Sequence, residues 1–278
     1  MEFLKRNEAP LTESQWQEID NTVIETARKT LIGRRFIEIS TLPDPSIQSI
    51  NYDIIDSGDY GACGLFGEQE CGVVQIKDRK FLPLPILYKD FKIHWRDIEY
   101  AKKINAGIDK SIVATATVSV CIAEDQLIFH GDATIGYPGL LNVVGRNSIS
   151  ISEWNKTGNA FEDVLQAIQV LNDAGFYSNF ALILNTKDYA KLHRVYSNTG
   201  ILEIEQIRKL CDFGIFATPV IPPNTAIVLS AGIENMDILV AQDMITAYIN
   251  YENMDHYFRI FEILALRIKR PESICTIE

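Results

Sequence analysis

The sequence predicts an α+β protein, and three observations carry that prediction. A capped amphipathic helix opens the chain, and a long glycine- and proline-rich excursion follows residue 43. From Trp154 onward, helices and strands alternate as if around a separate sheet.

The opening helix is the best specified. Thr12 and Gln15 fit the capping-box pattern, with Leu11 and Trp16 at the two staple positions. Trp16, Ile19, Val23 and Leu31 recur at roughly helical spacing, Ile24 and Ile32 widen the stripe, and Gly33 stands where a C′ glycine ends a helix. A short strand is expected over 36–39. Residues 43–72 then carry Pro43, Pro45 and repeated glycines among Asp53, Asp56, Asp59, Glu68 and Glu70. Too little alternates there for a packed strand pair, so the segment reads as an excursion that packs on a neighbouring subunit. Residues 73–93 return to extended character, and Pro83 and Pro85 confine 81–86 to an edge or a non-sheet arm.

A helix is expected over 95–104, with Glu99 and Lys103 as an i,i+4 pair. Asp109 caps a long helix lined by Ile112, Val113, Ala116, Val120, Ala123, Leu127 and Ile128, and Gly131 stops it. Helices over 160–174, 187–196 and 204–212 alternate with strands at 180–184, 215–218, 226–230 and 238–241. Residues 147–231 therefore read as an α/β lobe. The tail at 257–268 is a long strand outside that lobe, bounded by Pro271 and able to return towards the N-terminus.

A chain of 278 residues, 47% hydrophobic and 23% charged, can bury a sizeable core. Its net charge of −11 argues against a general binder of nucleic acid or anionic membrane. No apolar run approaches the ~20 residues of a membrane span, and Arg6, Asn7 and Glu8 interrupt any signal-peptide core. A cytoplasmic location is the expectation. Cys63, Cys71, Cys121, Cys211 and Cys275 show no metal-type spacing and read as free thiols; Cys63 and Cys71 flank the acidic loop. His94, His130, His193 and His256 lie far apart, and phosphate-loop, dinucleotide and nucleophile-elbow motifs are missing. The chain reads as a non-enzyme.

Particular strings say more. Met-Glu-Phe-Leu-Lys-Arg at 1–6, Ala9-Pro10-Leu11-Thr12, Glu18-Ile19-Asp20 and Gly33-Arg34-Arg35-Phe36 are joined by Leu-Tyr-Lys-Asp-Phe at 87–91. Glu-Asp-Gln-Leu-Ile-Phe-His-Gly at 124–131, Pro-Gly-Leu-Leu at 138–141, Ala-Gln-Asp-Met at 241–244 and Arg-Ile-Lys-Arg-Pro at 267–271 complete the set. Over essentially its whole length the chain resembles the encapsulins, bacterial and archaeal shell proteins that assemble into closed compartments. It looks nearest to the larger members whose cargo is a ferritin-like, iron-oxidising protein.

The resemblance implies an HK97 phage-capsid-like fold: N-terminal arm and helix at 1–42, extended loop at 43–93, peripheral domain at 94–146 and 232–278, and axial domain at 147–231. It implies an icosahedral homo-oligomer that captures cargo by a C-terminal targeting peptide and serves iron storage. No cofactor is required by the shell, iron is a mineral held through the cargo, and neither nucleic acid nor membrane is a partner. The implied peptide groove comprises Ala27, Leu31, Arg34, Glu38, Thr246 and Tyr248, with Arg34 and Glu38 fixing the register. Ala27 and Thr246 are smaller and more polar than the residues often found there. Ser197, Asn198 and Thr199 match a pore loop at the fivefold axis, and Trp95 lies near a flavin-contacting tryptophan of some members. Without the resemblance, Arg34 and Glu38 would read as a surface ion pair worth about 0–1 kcal/mol. Residues 197–199 would read as a solvated turn, and Trp95 as a packing anchor. The alternatives are a phage or prophage major capsid protein, expected to present a more basic inner surface, and a cytosolic α/β enzyme, for which no convergent polar site is evident.

Overall fold

The computed structural model describes residues 2–56, 61–63, 65–67, 72–104, 106–196 and 200–278. An arm of two 3-10 turns, Glu2–Leu4 and Arg6–Glu8, leads into α1 (Glu13–Thr30). The capping box is complete: Thr12 Oγ1 accepts from the Gln15 amide at 3.3 Å and Gln15 Oε1 from the Thr12 amide at 3.0 Å. Gly33 is not a C′ residue. Leu31 leaves the helix in an extended conformation, and Gly33 opens a 3-10 turn, Gly33–Arg35. A Cβ on Gly33 would sit 2.5 Å from Ile128 Cδ1, so a side chain here would push the Ile128 side chain of the neighbouring helix aside.

The strand expected at 36–39 is displaced to β1 (Ile39–Thr41), because Phe36 and Ile37 turn into the core. β2 (Ser49–Asp56) and β3 (Gln75–Pro83) form an antiparallel ribbon, contrary to the expectation of no strand pair. Its exposed side chains gave no two-residue pattern because neither face is fully buried within one subunit. β4 (Ile86–His94) runs directly into α2 (Trp95–Ile104), where Lys102, not Lys103, pairs with Glu99 at 3.0 Å.

Asp109 caps α3 (Lys110–His130) by accepting from the Ser111 amide at 2.8 Å, and Gly131 closes it at φ 69°. With 21 residues and a mean hydropathy of 1.5, α3 is long and apolar enough to cross a membrane, which overturns the expectation that no such run exists. In this fold it is a spine: α1 lies along it, and Val113, Val120, Leu127 and Ile128 are buried. A short pair, β5 (Gly131–Asp132) and β6 (Tyr137–Pro138), follows.

β7 (Asn147–Ile149), α4 (Asn159–Asp173), β8 (Phe180–Asn185), α5 (Thr186–Lys191), α6 (Glu203–Ile207), β9 (Gly214–Thr218) and β10 (Ala226–Ser230) build the second lobe. α5 and α6 are shorter than their apolar patterns suggest. The chain returns through β11 (Met236–Glu252), β12 (Asp255–Ile268) and β13 (Ile274–Ile277). β11 and β12 are joined by a two-residue turn with both Asn253 and Met254 at positive φ, the hairpin geometry that matches strand twist.

Two main sheets result. The first has the order β1-β11-β12-β4, and the second β7-β13-β10-β8-β9. β12 pairs with β11 and β4 rather than with N-terminal strands. β13 joins the second sheet between β7 and β10, so the chain's last strand lies with the axial elements and not with the peripheral sheet expected for 232–278. Both faces of the second sheet are covered. Ile183, Ile227 and Leu229 join the main core around Phe129 and Leu264, while Leu182, Leu184 and Val228 pack beneath α4. That double burial explains why β8 reads as a continuous apolar run.

The ribbon is the exception to this burial. Ile55, Ile76 and Phe81 on it, and Leu65 and Phe66 between its strands, are largely exposed. Apolar surface of this extent on a protruding element marks a protein contact, and each aromatic ring covered there contributes about 1.5–3 kcal/mol. Replacing both Phe66 and Phe81 by Ser is expected to lower self-association strongly, read by light scattering as loss of large species. Unchanged particle mass would show that the ribbon is not a contact.

Candidate functional site

A pocket of about 420 Å³ opens between the C-terminal half of α1 and β11. Val23, Ile24, Ala27 and Leu31 form its apolar side, and Arg28, Arg34, Arg35, Asp243 and Met244 complete it. The helical stripe of α1 supplies the first group because residues three and four apart share a face. The β11 side exists through an irregularity. The register with β12 slips between Gln242 and Ile245, leaving Asp243 and Met244 without β12 partners. A bulge re-aims side chains, and here it turns Asp243 towards Arg34.

Arg34 is the anchor of the site. Its Nε donates to Glu124 Oε1 at 2.7 Å and its Nη2 to Glu124 Oε2 at 2.9 Å. Nη2 also reaches Glu262 Oε2 at 2.7 Å, and Nη1 reaches Asp243 Oδ1 at 2.7 Å. Glu124 on α3 and Glu262 on β12 are fully buried, whereas the Asp243 side chain is 73% exposed. Burial works against the guanidinium's charge, but the hydrogen bond and charge of Glu124, with Glu262 and Asp243, carry its pKa above its ordinary value. Burial, then the negative charge of Glu124, pushes Glu262 well above the usual carboxylate range. One guanidinium faces two fully buried carboxylates, and protonation of Glu262 is the direction in which that excess of buried negative charge pushes. The Cys121 thiol is pushed up to about 12 by burial and by these same acids, so it stays protonated and is no nucleophile.

Asp125 ties the turn after α1 to the spine. Its carboxylate accepts from the Gly33 amide at 3.0 Å and the Ile32 amide at 3.3 Å, satisfying donors the turn leaves free. Burial raises its pKa to about 6 despite the Gly33 hydrogen bond.

The structure brings Ala27, Leu31 and Arg34 together in the pocket and separates the other three groove residues from it. Glu38 is exposed and makes no pair with Arg34; its carbonyl accepts from the Ile238 amide at 2.8 Å, which starts β1. Thr246 is fully buried. Tyr248 packs against Phe258, with its hydroxyl 3.1 Å from His256 Nδ1. The expected Arg34–Glu38 ion pair is therefore replaced by Arg34 with Glu124, Glu262 and Asp243, since those acids already enclose the guanidinium. Two signals pointed to them: Glu124-Asp125 inside the apolar pattern of α3, and Glu262 inside the apolar run of β12.

Ser197, Asn198, Thr199 and Cys71 lie outside the described residues. The base of the 197–199 loop is closed by the Val195–Leu202 bridge, and Arg194 pairs with the buried Glu203 at 3.0 Å. Cys63 is exposed, and Cys121, Cys211 and Cys275 are buried, all as free thiols. Trp95 opens α2 in a separate cleft of about 590 Å³ with His94, Arg96, Asp97, Tyr100 and Lys103. Glu99 also lines this cleft, and the Trp95 Nε1 is buried without a hydrogen-bond partner among the described residues.

A two-sheet chain with a spine helix and a protruding ribbon defines a capsid-type shell subunit, and the structural neighbours agree. It is similar to a virus-like particle from Pyrococcus furiosus at a TM-score of 0.78, with 24% identity over 96% of this chain and 100% of that one. The capsid of Myoviridae phage XM1 matches at 0.64, with 12% identity over 87% and 88% of the two chains. The fold is thus HK97-like. The family model for an encapsulating protein for peroxidase matches residues 1–265, and the chain belongs to that encapsulin family. It is 41% identical over 277 residues to a type 1 encapsulin shell protein of Myxococcus xanthus, covering 100% of this chain and 96% of that protein. A diheme-cytochrome–encapsulin shell fusion protein of Kuenenia stuttgartiensis is 36% identical, covering 98% and 75%. A ferritin-like–encapsulin shell fusion protein of Pyrococcus furiosus is 26% identical, covering 98% and 72%. The chain is accordingly a subunit of a self-assembling, cargo-enclosing shell.

Two outcomes test the site's energetics. Arg34→Met leaves buried acids without their cation and is expected to destabilise the subunit by about 3–5 kcal/mol. Glu262→Gln in that background should recover part of the loss in thermal unfolding. The second concerns pH. A carboxyl whose folded pKa is raised from 3.8 to about 6 stabilises the fold at low pH, and that contribution disappears as pH rises through about 6. Asp125→Asn keeps an acceptor for the Gly33 amide without the charge. Its stability relative to the unaltered protein should therefore rise by on the order of 2 kcal/mol between pH 4 and 7.

Proposed function

We propose that the pocket between α1 and β11 captures the C-terminal targeting peptide of a cargo protein, and that this cargo is a ferritin-like, iron-oxidising protein held for iron storage. The observation that carries the capture reading is the pocket itself. It offers an apolar wall of Ile24, Ala27 and Leu31 beside a guanidinium already fixed by three acids, so an extended peptide gains apolar burial without reorganising its receptor. The iron reading is supported by the ferritin-like fusion among the relatives, while the cytochrome fusion shows that relatives differ in what they carry. In this reading the shell works in the cytoplasm as an icosahedral compartment. Iron chemistry resides in the cargo, and residues 197–199 line a passage for small hydrated ions. A secondary proposal places a flavin against Trp95, because it lines a cleft that also carries the aromatic Tyr100 and the cationic Arg96 and Lys103.

Leu31→Asp places an unpaired charge on the apolar wall. Shells of this variant, intact by electron microscopy, are expected to lose most co-purifying cargo, whereas Ser197→Ala shells should load as before. Normal loading of Leu31→Asp shells would place the groove elsewhere. Cargo-free, metal-stripped shells should oxidise iron no faster than buffer, and robust ferroxidase activity from them would refute the division of labour. Flavin absorbance in purified shells that disappears in Trp95→Ala would support the secondary proposal, and its absence from both would remove it.

A further inference from the structure

The interval between α1 and β11 continues beyond the pocket, and the chain fills the rest of it itself. β1 accompanies β11 only as far as Val240, so the edge of β11 that follows has no strand beside it among the described residues. The N-terminal arm lies along that edge. Arg6 Nε donates to the Thr246 carbonyl at 3.0 Å, and its two terminal nitrogens grip Asp20 of α1 at 2.7 and 2.8 Å. The guanidinium also stacks 4.6 Å from the Trp16 ring. Leu4 is 5% exposed, Phe3 meets Phe261 edge-on, and the charge of Glu8 reaches Tyr248. Asp20 stands one helical turn before Val23 and Ile24, and Thr246 two residues after Met244, so the arm begins where the open pocket ends.

We propose that residues 2–8 are a built-in occupant of this groove, closing its Asp20–Thr246 end so that a peptide extending past Met244 binds only by displacing the arm. The proposal rests on the capture reading above for the identity of the competitor, but the occupancy stands on the arm's own contacts.

The arm is held at two points, Leu4 in the main core and Arg6 on Asp20, and displacing it gives up both. The Arg6 and Asp20 side chains are 24% and 36% exposed, so their pair is partly screened by solvent. Lys5, between the two 3-10 turns, sits at φ 48°, a conformation unfavourable for a residue with a side chain. A receptor whose competent state is only fractionally populated binds more weakly by that fraction. Removal of the arm's anchors is accordingly expected to tighten capture of a long peptide on the order of tenfold.

The test uses the arm as its own probe. A fluorescent protein carrying the sequence of residues 2–10 as its C-terminal tail is co-expressed with the shell. Leu4→Ala/Arg6→Ala shells, checked for assembly by microscopy, should retain about tenfold more reporter than unaltered shells. A reporter whose tail has Arg6→Ala should not be retained, and Asp20→Asn in the shell should abolish the gain. If the double variant assembles poorly, Arg6→Lys alone, which keeps the charge but loses the fork, should give an intermediate gain. Equal retention by unaltered and variant shells overturns the proposal. Competition is read by hydrogen exchange: the amides of Lys5, Glu8 and Ala9, which close the 3-10 turns, should exchange faster in cargo-loaded than in empty shells. Unchanged protection in loaded shells, with Leu31→Asp still abolishing loading, refutes the arm's role and leaves the pocket standing. Loading that ignores Leu31→Asp refutes the capture reading, while the reporter result still decides occupancy.

Discussion

The four-way clasp around Arg34 is the constraint on which the N-terminal half of the molecule depends. The turn after α1, α3, β11 and β12 come from distant parts of the sequence and meet at one guanidinium, which bonds Glu124, Asp243 and Glu262 at once. A lysine would supply the charge but not the fork that reaches three carboxylates in different directions. Replacing a buried ion cluster with apolar side chains of similar volume is often neutral for stability, so its value here is better sought in geometry. The clasp sets the angle at which the turn after α1 leaves the spine, and Asp125 fixes the same turn through its amides. The pocket is the space left between elements fixed in this way.

The opposite wall follows a different rule. A regular 17-residue strand would alternate its side chains and present Asp243 and Met244 to opposite faces. The slip in register against β12 lets both line one pocket. Irregularity is tolerated there because β1 has already ended, so the ladder on that side has no partner to disrupt. The same missing partner creates the exposed edge along which the arm lies. One short strand therefore accounts for the bulge, the pocket and the arm's seat.

What could be read from the residues divides along physical lines. Capping chemistry was largely legible: the Thr12–Gln15 box, the Asp109 cap and the Gly131 stop depend on neighbours within four residues, whereas Gly33 and the Glu99 pairing were not, since tertiary packing and a neighbouring lysine decide them. Long apolar strands were legible as extended segments, but their partners were not, so the placement of β13 between β7 and β10 had to be seen. The β2–β3 ribbon escaped notice because alternation reports a buried face, and the ribbon has little of one within a single subunit. Of the residues assigned to a groove, Ala27, Leu31 and Arg34 line one pocket, since one helix and its turn carry them. Glu38 lies outside that pocket, and Arg34 satisfies its charge with acids remote in sequence. Thr246 and Tyr248 were displaced from the open pocket because the strand bulge and the arm intervene.

The weakness of any single groove is consistent with a shell. A pocket of about 420 Å³ with one apolar wall holds only a few side chains, and its rim of Arg28, Arg35 and Asp243 is solvent-screened. Retention by one such contact would be poor, but a self-assembling shell carries many copies of the pocket. In the proposed capture reading, once a first tail of an oligomeric cargo is seated, further tails would bind at an effective concentration set by geometry instead of bulk supply, and avidity would multiply without new contacts. Selection then falls on keeping every groove in the same shape, not on making each one tight. Buried carboxylates gripping one arginine, a glycine whose missing Cβ would meet the Ile128 side chain, and an arm along the free edge all favour such uniformity.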